Sequence, residues 1–159
     1  MTCGNCSSIE GTKPTNPKDA IGSKKVPLHV WPNTATLHGA MGMLTGALQY
    51  GRSNYRAIGV RSSIYYDAAR RQLDGWFEGV DVDPDSGLNP LDHALACIAI
   101  LIDAIEAGKL RDDRMIRGGY QECIAKLTPE VERLKAKYAH LSPKHYTIVD
   151  NPEDFDAST

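Results

Sequence analysis

Asn89-Pro90-Leu91-Asp92-His93-Ala94-Leu95-Ala96-Cys97-Ile98-Ala99-Ile100-Leu101-Ile102 is the stretch that decides the fold of this chain. An Asn able to cap, a Pro suited to the first helical position and an Asp in the first turn mark a helix start. The run from Ala94 to Ile102 is apolar on every side, so the helix is expected to be central and surrounded. Gly108 ends it, giving a helix from Leu91 to about Ala107. Cys97, within the apolar run, reads as a small buried hydrophobe.

Immediately upstream, Glu78 to His93 gathers Glu78, Asp81, Asp83, Asp85, Asp92 and His93 in one loop between two helices. Carboxylates this crowded repel one another unless a cation compensates them, which points to a divalent-metal site. A solvated acidic turn accounts for Asp, Pro, Ser and Gly equally well. Asp81-Val82-Asp83-Pro84-Asp85-Ser86-Gly87 is not an EF-hand, because its Gly is one place late and Asp92 stands where the closing Glu belongs. Magnesium or manganese suits it better, since these ions need few carboxylates once phosphate oxygens join.

The preceding helix is capped by Ser62 or Ser63 and carries Tyr65, Ala69, Leu73, Trp76 and Phe77 at helical spacing up to Gly79. On another face Asp67/Arg71 and Arg70/Asp74 are i,i+4 pairs that can neutralise each other. Glu78 lies at the negative helix end, where an acid is unfavourable without a cation. An earlier helix starts at Pro32-Asn33-Thr34 and stops at Tyr50-Gly51. In it Leu37, Met41, Leu44 and Leu48 trace one apolar stripe, and Gly39, Gly42 and Gly46 let another backbone come close. Arg52 to Arg61 is a loop with Asn54, Tyr55 and Arg56, suited to a polar ligand. Downstream, Tyr120 to Lys126 makes one or two turns, and Thr128-Pro129-Glu130 starts a last helix with Val131, Leu134 and Tyr138 inward. Tyr146 to Val149 is a short strand or strap. No alternating strand pair is evident, so the class is all-α, a bundle of about four helices.

With 159 residues and a formal charge of −2, the chain reads as one domain without a global nucleic-acid footprint. No run is long enough to span a membrane and no secretory signal is visible, so a cytoplasmic protein is expected. Residues 1–15 read as a flexible tail, 16–149 as the helical domain and 150–159 as an acidic tail. Cys3 and Cys6 form a Cys-x-x-Cys without the context of a zinc or redox site, and all four cysteines are expected to be free thiols. Asn16 to Pro27, with Lys18, Lys24 and Lys25, is an irregular segment that serves as a strap for an anion or as a solvated linker. Together with Arg56, Arg61, Arg70 and Arg71, these lysines suffice to hold a polyphosphate.

Asn16-Pro17-Lys18-Asp19-Ala20, Lys25-Val26-Pro27, Tyr50-Gly51, Asn54-Tyr55-Arg56, Ala68-Ala69-Arg70-Arg71-Gln72-Leu73, Trp76 and Gly79-Val80-Asp81-Val82-Asp83-Pro84-Asp85-Ser86-Gly87 with His93 resemble a phage family of dATP/dGTP diphosphohydrolases. That family is more remotely similar to MazG-like all-α nucleoside triphosphate pyrophosphohydrolases. The resemblance spans about Asn16 to Ile105. It implies a MazG-like helical bundle completed by oligomerisation, and the glycine-lined first helix and small size point to a homodimer or homotetramer. It also implies a Mg²⁺- or Mn²⁺-dependent enzyme that releases a nucleoside monophosphate and pyrophosphate from a purine deoxynucleoside triphosphate. Arg71, Asp81, Asp83, Ser86 and His93 carry over from its motif, with Asp83, Arg71 and His93 as catalytic candidates. Glu78 and Asp85 join Asp81 and Asp83 as candidate metal ligands on the charge argument. Lys18, Lys25, Arg56 and Ser86 are substrate-binding candidates, and Asp19 or Asn54 could pair with a guanine edge. The chain departs from the family pattern at Gln72 and Pro90, where histidines are expected, and lacks the Glu-x-x-Glu and Glu-x-x-Asp helices of MazG-like enzymes. The alternatives are a deoxynucleotide triphosphohydrolase, in which Asp92-His93 would have the order of the usual His-Asp doublet reversed, and a non-enzymatic cation-binding helical phage protein.

Overall fold

Helix α5 (Pro90–Glu106) of the computed structural model, which describes residues 16–150, forms where the cap, proline and apolar run place it. Asn89 Oδ1 accepts from the Leu91 amide at 2.9 Å and closes the N-terminus. Two long helices, α2 (Asn33–Tyr50) and α4 (Ser62–Phe77), pack along it, making a three-helix core with α5 in the middle. The shorter α1 (Pro17–Gly22) and α3 (Asn54–Ile58) precede α2 and α4, and α6 (Tyr120–Tyr138) follows the core. The class is all-α as expected. Among the described residues, no helix is long and apolar enough to cross a membrane.

One parallel bridge, β1 (Val60–Arg61) with β2 (Leu110–Arg111), ties the entrance of α4 to the exit of α5. Two residues per strand offer no alternation to read, which is why the sequence did not announce it. Its approach depends on Gly59. With φ at 87° and a Cβ that would stand 2.8 Å from the Lys109 carbonyl oxygen, only glycine fits there. The same crossing caps α4 from a distance. The helix begins at Ser62, so neither serine sits at its cap; Asp113 Oδ1 instead accepts from the Ser63 amide at 2.8 Å.

Helix α2 is turned opposite to the ordinary amphipathic arrangement. Its glycine face meets α5 so closely that a Cβ on Gly42 would lie 2.2 Å from the Asp92 carbonyl oxygen, and one on Gly39 3.1 Å from Leu95. At 3.6 residues per turn Leu37, Met41, Leu44 and Leu48 fall on the opposite side, and they are 68, 45, 49 and 79 % exposed. The close backbone approach anticipated from the glycines therefore occurs, and it drives the leucine stripe outward. Nor is α5 surrounded within one chain, since Ile98, Ile102 and Ile105 remain exposed. The buried apolar side chains of the described residues are Val60, Ala69, Pro90, Ala94, Ala96 and Ala104, all small.

Three local expectations are corrected. Asn16 to Gly22 is not irregular: Asn16 Oδ1 accepts from Lys18 N at 3.0 Å and caps α1, with Pro17 in its first turn. The turns after Tyr120 and the helix at Pro129 are one continuous α6 with Pro129 inside it. That helix is exposed along its length, so the carbonyl that Pro129 leaves unpaired can be hydrated. Its Val131, Leu134 and Tyr138 are 47, 44 and 49 % exposed rather than inward. Tyr146 to Val149 is no strand. Ile148–Asp150 forms a 3-10 turn whose Ile148 Cδ1 approaches Gly79, where a Cβ would come within 2.9 Å. The expectations for residues 1–15, Cys3, Cys6 and 151–159 lie outside the described residues.

Candidate functional site

The second half of α2, the Gly51–Arg56 segment, α4, the acidic loop and α5 line a half-open cavity of about 720 Å³. That volume lies in the range of small-molecule sites. Its apolar floor includes Ala96 and Ile100, and Tyr50, Tyr55 and Tyr65 add aromatic surface. Asp83, Asp85, Ser86 and His93 bring the acidic loop to its wall.

The loop is held by its own hydrogen bonds. Asp83 N donates to Leu88 O at 2.8 Å and Gly87 N to Asp83 O at 2.8 Å, closing the turn on Gly87 at φ 72°. Inside it, Asp83 Oδ1 accepts from Ser86 N at 2.9 Å, Ser86 Oγ at 2.9 Å and Asp85 N at 3.2 Å. The Ser86 amide, then its hydroxyl, hold the Asp83 carboxyl below the usual carboxylate range against a smaller opposing effect of burial, with Gln72 contributing a further side-chain hydrogen bond. Ser86 Oγ also stands 2.7 Å from His93 Nε2 and accepts from Leu88 N at 3.2 Å.

Proton counting fixes the direction of this chain. A hydroxyl has one proton, and an ionised carboxylate has none to give, so Ser86 donates to Asp83. His93 Nε2 must then carry hydrogen and donate to Ser86. In the tautomer this selects, Nδ1 carries the lone pair, and it has no protein partner among the described residues.

The other sequence candidates divide. Asn54 lines the cavity, with Oδ1 accepting from Tyr55 N at 2.8 Å and its amide NH₂ left as a donor. Arg56 also lines it, but its guanidinium forks onto Asp103 of α5, which keeps Arg56 firmly protonated and Asp103 ionised. Lys18, Asp19, Lys25, Glu78 and Asp81 are exposed and are not among the lining residues. Arg71 is exposed on α4, near enough to Cys97 for its charge to oppose the burial that pushes that thiol up. The Arg70–Asp74 pair forms at 2.8 Å, while no ion pair joins Asp67 to Arg71 among the described residues.

Asp92 leaves the acidic loop altogether. It is 4 % exposed and bonds His38 Nδ1 of α2 at 2.7 Å, on the seam where Gly42 admits the α5 backbone. His38 went unread because nothing local distinguishes it; only the glycine one turn on hinted at a close crossing. Gln72 and Arg52 were also missed as site residues. Gln72 reaches Asp83 from α4, at the position where the resemblance expects a histidine. Arg52 is a lining cation that makes no ion pair among the described residues.

A family model described as dATP/dGTP diphosphohydrolase, N-terminal, matches residues 15–114. That span contains α1 through α5 and every residue lining the cavity. No curated protein and no solved structure matches the chain.

Proposed function

The chain belongs to the dATP/dGTP diphosphohydrolase N-terminal family, and from that membership we propose that it hydrolyses a purine deoxynucleoside triphosphate between the α and β phosphates, dGTP by preference. The products are the deoxynucleoside monophosphate and pyrophosphate. In a phage-infected cytoplasm this reaction reshapes the deoxynucleotide pool. The observation that carries the reading is the Asp83–Ser86–His93 chain on the wall of a cavity large enough for a nucleotide.

Asp83 and Asp85 are the carboxylates on that wall, and among the described residues no three His, Cys, Asp or Glu side chains converge on one point. They fit a Mg²⁺ or Mn²⁺ ion held by one or two carboxylates and by substrate oxygens, and not a cage of Glu78, Asp81, Asp83 and Asp85 alone. Such an ion, when bound, supplies Lewis-acid polarisation of the phosphoryl oxygens. The chain's own residues supply the rest. Asp83 stays ionised because Ser86 and the loop amides donate to it. His93, fixed by Ser86 at Nε2, takes a proton from the attacking water at Nδ1. Arg52 neutralises phosphate charge at the rim, and Arg56, tethered by Asp103, positions the segment that carries Asn54 against the base.

Incubating the protein with each deoxynucleoside triphosphate and Mg²⁺ or Mn²⁺, and identifying the products by ion-exchange chromatography, tests the reading. Monophosphate plus pyrophosphate is expected. Intact triphosphate plus nucleoside would replace it with a triphosphohydrolase, and no metal-dependent turnover would leave a cation-binding helical protein.

A further inference from the structure

Asp92 and His93 are consecutive in the first turn of α5 and face different ways: His93 reaches the acidic loop, and Asp92 reaches α2. The Asp92 side chain is buried, and its Oδ1 lies 2.7 Å from His38 Nδ1. A carboxylate only accepts, so His38 Nδ1 carries hydrogen and donates it. We propose that His38 is a positioning residue for the reaction: by holding Asp92 it sets the rotation of α5 about its own axis, and with it the reach of His93 Nε2 to Ser86. The proposal rests on the hydrolytic reading of the Asp83–Ser86–His93 chain.

The seam at this level is made of main chain and small groups, since Gly42 meets the Asp92 backbone and Ala96 Cβ. Such surfaces fix how near two helices lie but give little hold on how each is turned, because no knob enters a hole. The His38–Asp92 bond supplies that hold. Without its donor, the buried carboxylate is unsatisfied, and turning α5 until the group meets water relieves it. A helix with its side chains has a radius of about 5–6 Å, so a turn of about 10° moves an imidazole by about 1 Å. From 2.7 Å, that puts His93 Nε2 beyond hydrogen-bond distance of Ser86 Oγ. Misplacement on this scale costs about a hundredfold in rate. The other tie to α5, Arg56 to Asp103, lies about three turns further along and is exposed, where water competes for it. It does not replace the buried bond beside His93.

A bond that served stability alone would leave His93 where it is in the folded protein, and two substitutions separate the two roles. Asn carries its amide nitrogen about where imidazole Nδ1 stands, so His38→Asn keeps the donor. Gln carries it one carbon further and loses that register, although Gln is the better helix former. With the deoxynucleoside triphosphate the parent hydrolyses fastest, His38→Gln is expected to lower kcat about 10- to 100-fold with KM within about twofold. His38→Asn is expected to keep kcat within about threefold of the parent. In two-bond proton–nitrogen NMR spectra without substrate, His93, assigned by its absence from His93→Gln, should hold its hydrogen at Nε2 in the parent and in His38→Asn. In His38→Gln it should average between tautomers. An undiminished kcat in His38→Gln, a loss in His38→Asn as large as in His38→Gln, or an unchanged His93 tautomer in His38→Gln overturns the proposal. If His38→Gln loses its helical circular dichroism, His38→Ala/Asp92→Ala, which removes donor and carboxylate together, takes its place with the same outcomes. If the parent releases no pyrophosphate, the proposed function falls and the tautomer of His93 alone decides the role of His38.

Discussion

Replacing Gly42 by Ala is expected to destabilise the protein, and replacing Gly46 by Ala, one turn along the same face of α2, is expected to stabilise it. A Cβ at position 42 would sit 2.2 Å from Asp92 O, 2.7 Å from Asp92 C and 3.0 Å from Ala96 Cβ, more than 1 Å short of ordinary contact at the closest point. The obstruction is main chain in the first turn of α5, so no rotamer change relieves it and the helices must part. Overpacking of this kind costs up to about 3 kcal/mol, and removing a glycine from a helix returns about 1 kcal/mol, for a net loss of about 2 kcal/mol. Position 46 has no atom within 4 Å of its Cβ, so only the propensity gain of about 1 kcal/mol remains. Urea titrations followed by circular dichroism, at one fixed protomer concentration, read both. With a slope of about 2 kcal/mol per molar, the midpoint falls by about 1 M for Gly42→Ala and rises by about 0.5 M for Gly46→Ala. Midpoints shifting in the same direction, or a Gly42→Ala variant as stable as the parent, would refute the glycine-face crossing that sets His38, Asp92 and the cavity wall.

Further outcomes are expected from the same geometry. Gly59→Ala combines a φ of 87° with a carbonyl 2.8 Å away, so it should lose about 2 kcal/mol or more in the same titration. Asp83→Asn should lower kcat at least about a hundredfold while leaving the helical circular dichroism unchanged; retained turnover removes Asp83 from the chemistry. Ser86→Ala breaks the link from Asp83 to His93 and should cost about 10- to 100-fold in kcat/KM. It should also raise the Asp83 carboxyl titration seen by NMR, because a donor to the ionised form is gone; an unmoved titration contradicts the assigned hydrogen bond. In the parent, Asp83 lies below its ordinary 3.8. Its contribution to stability is therefore complete above that value and is lost only as pH falls through the lower folded value. Acid unfolding of Ser86→Ala should accordingly begin at higher pH than that of the parent.

Much of the site was legible because its signals are local. Asp83, Asp85 and Ser86 share one tight turn, and His93 follows within two turns of a helix whose start Asn89 and Pro90 announce. Arg56 illustrates the opposite case. Its charge was readable, but Asp103, which occupies that charge, stands 47 residues away. Asp92 looked like a member of the acid cluster, yet a residue on another helix claims it.

Caps, prolines and periodicity act within a few residues, so the existence, order and approximate ends of the three core helices, the central rank of α5 and the Asp83-to-His93 turn were all written in local pattern. Which side of a helix faces in was set by packing between helices. Periodicity states which residues share a face and carries no sign for inward or outward. In α2 close backbone packing through Gly39 and Gly42 outweighed burial of Leu37, Met41, Leu44 and Leu48, so the smaller face went to α5 and the larger one to the outside.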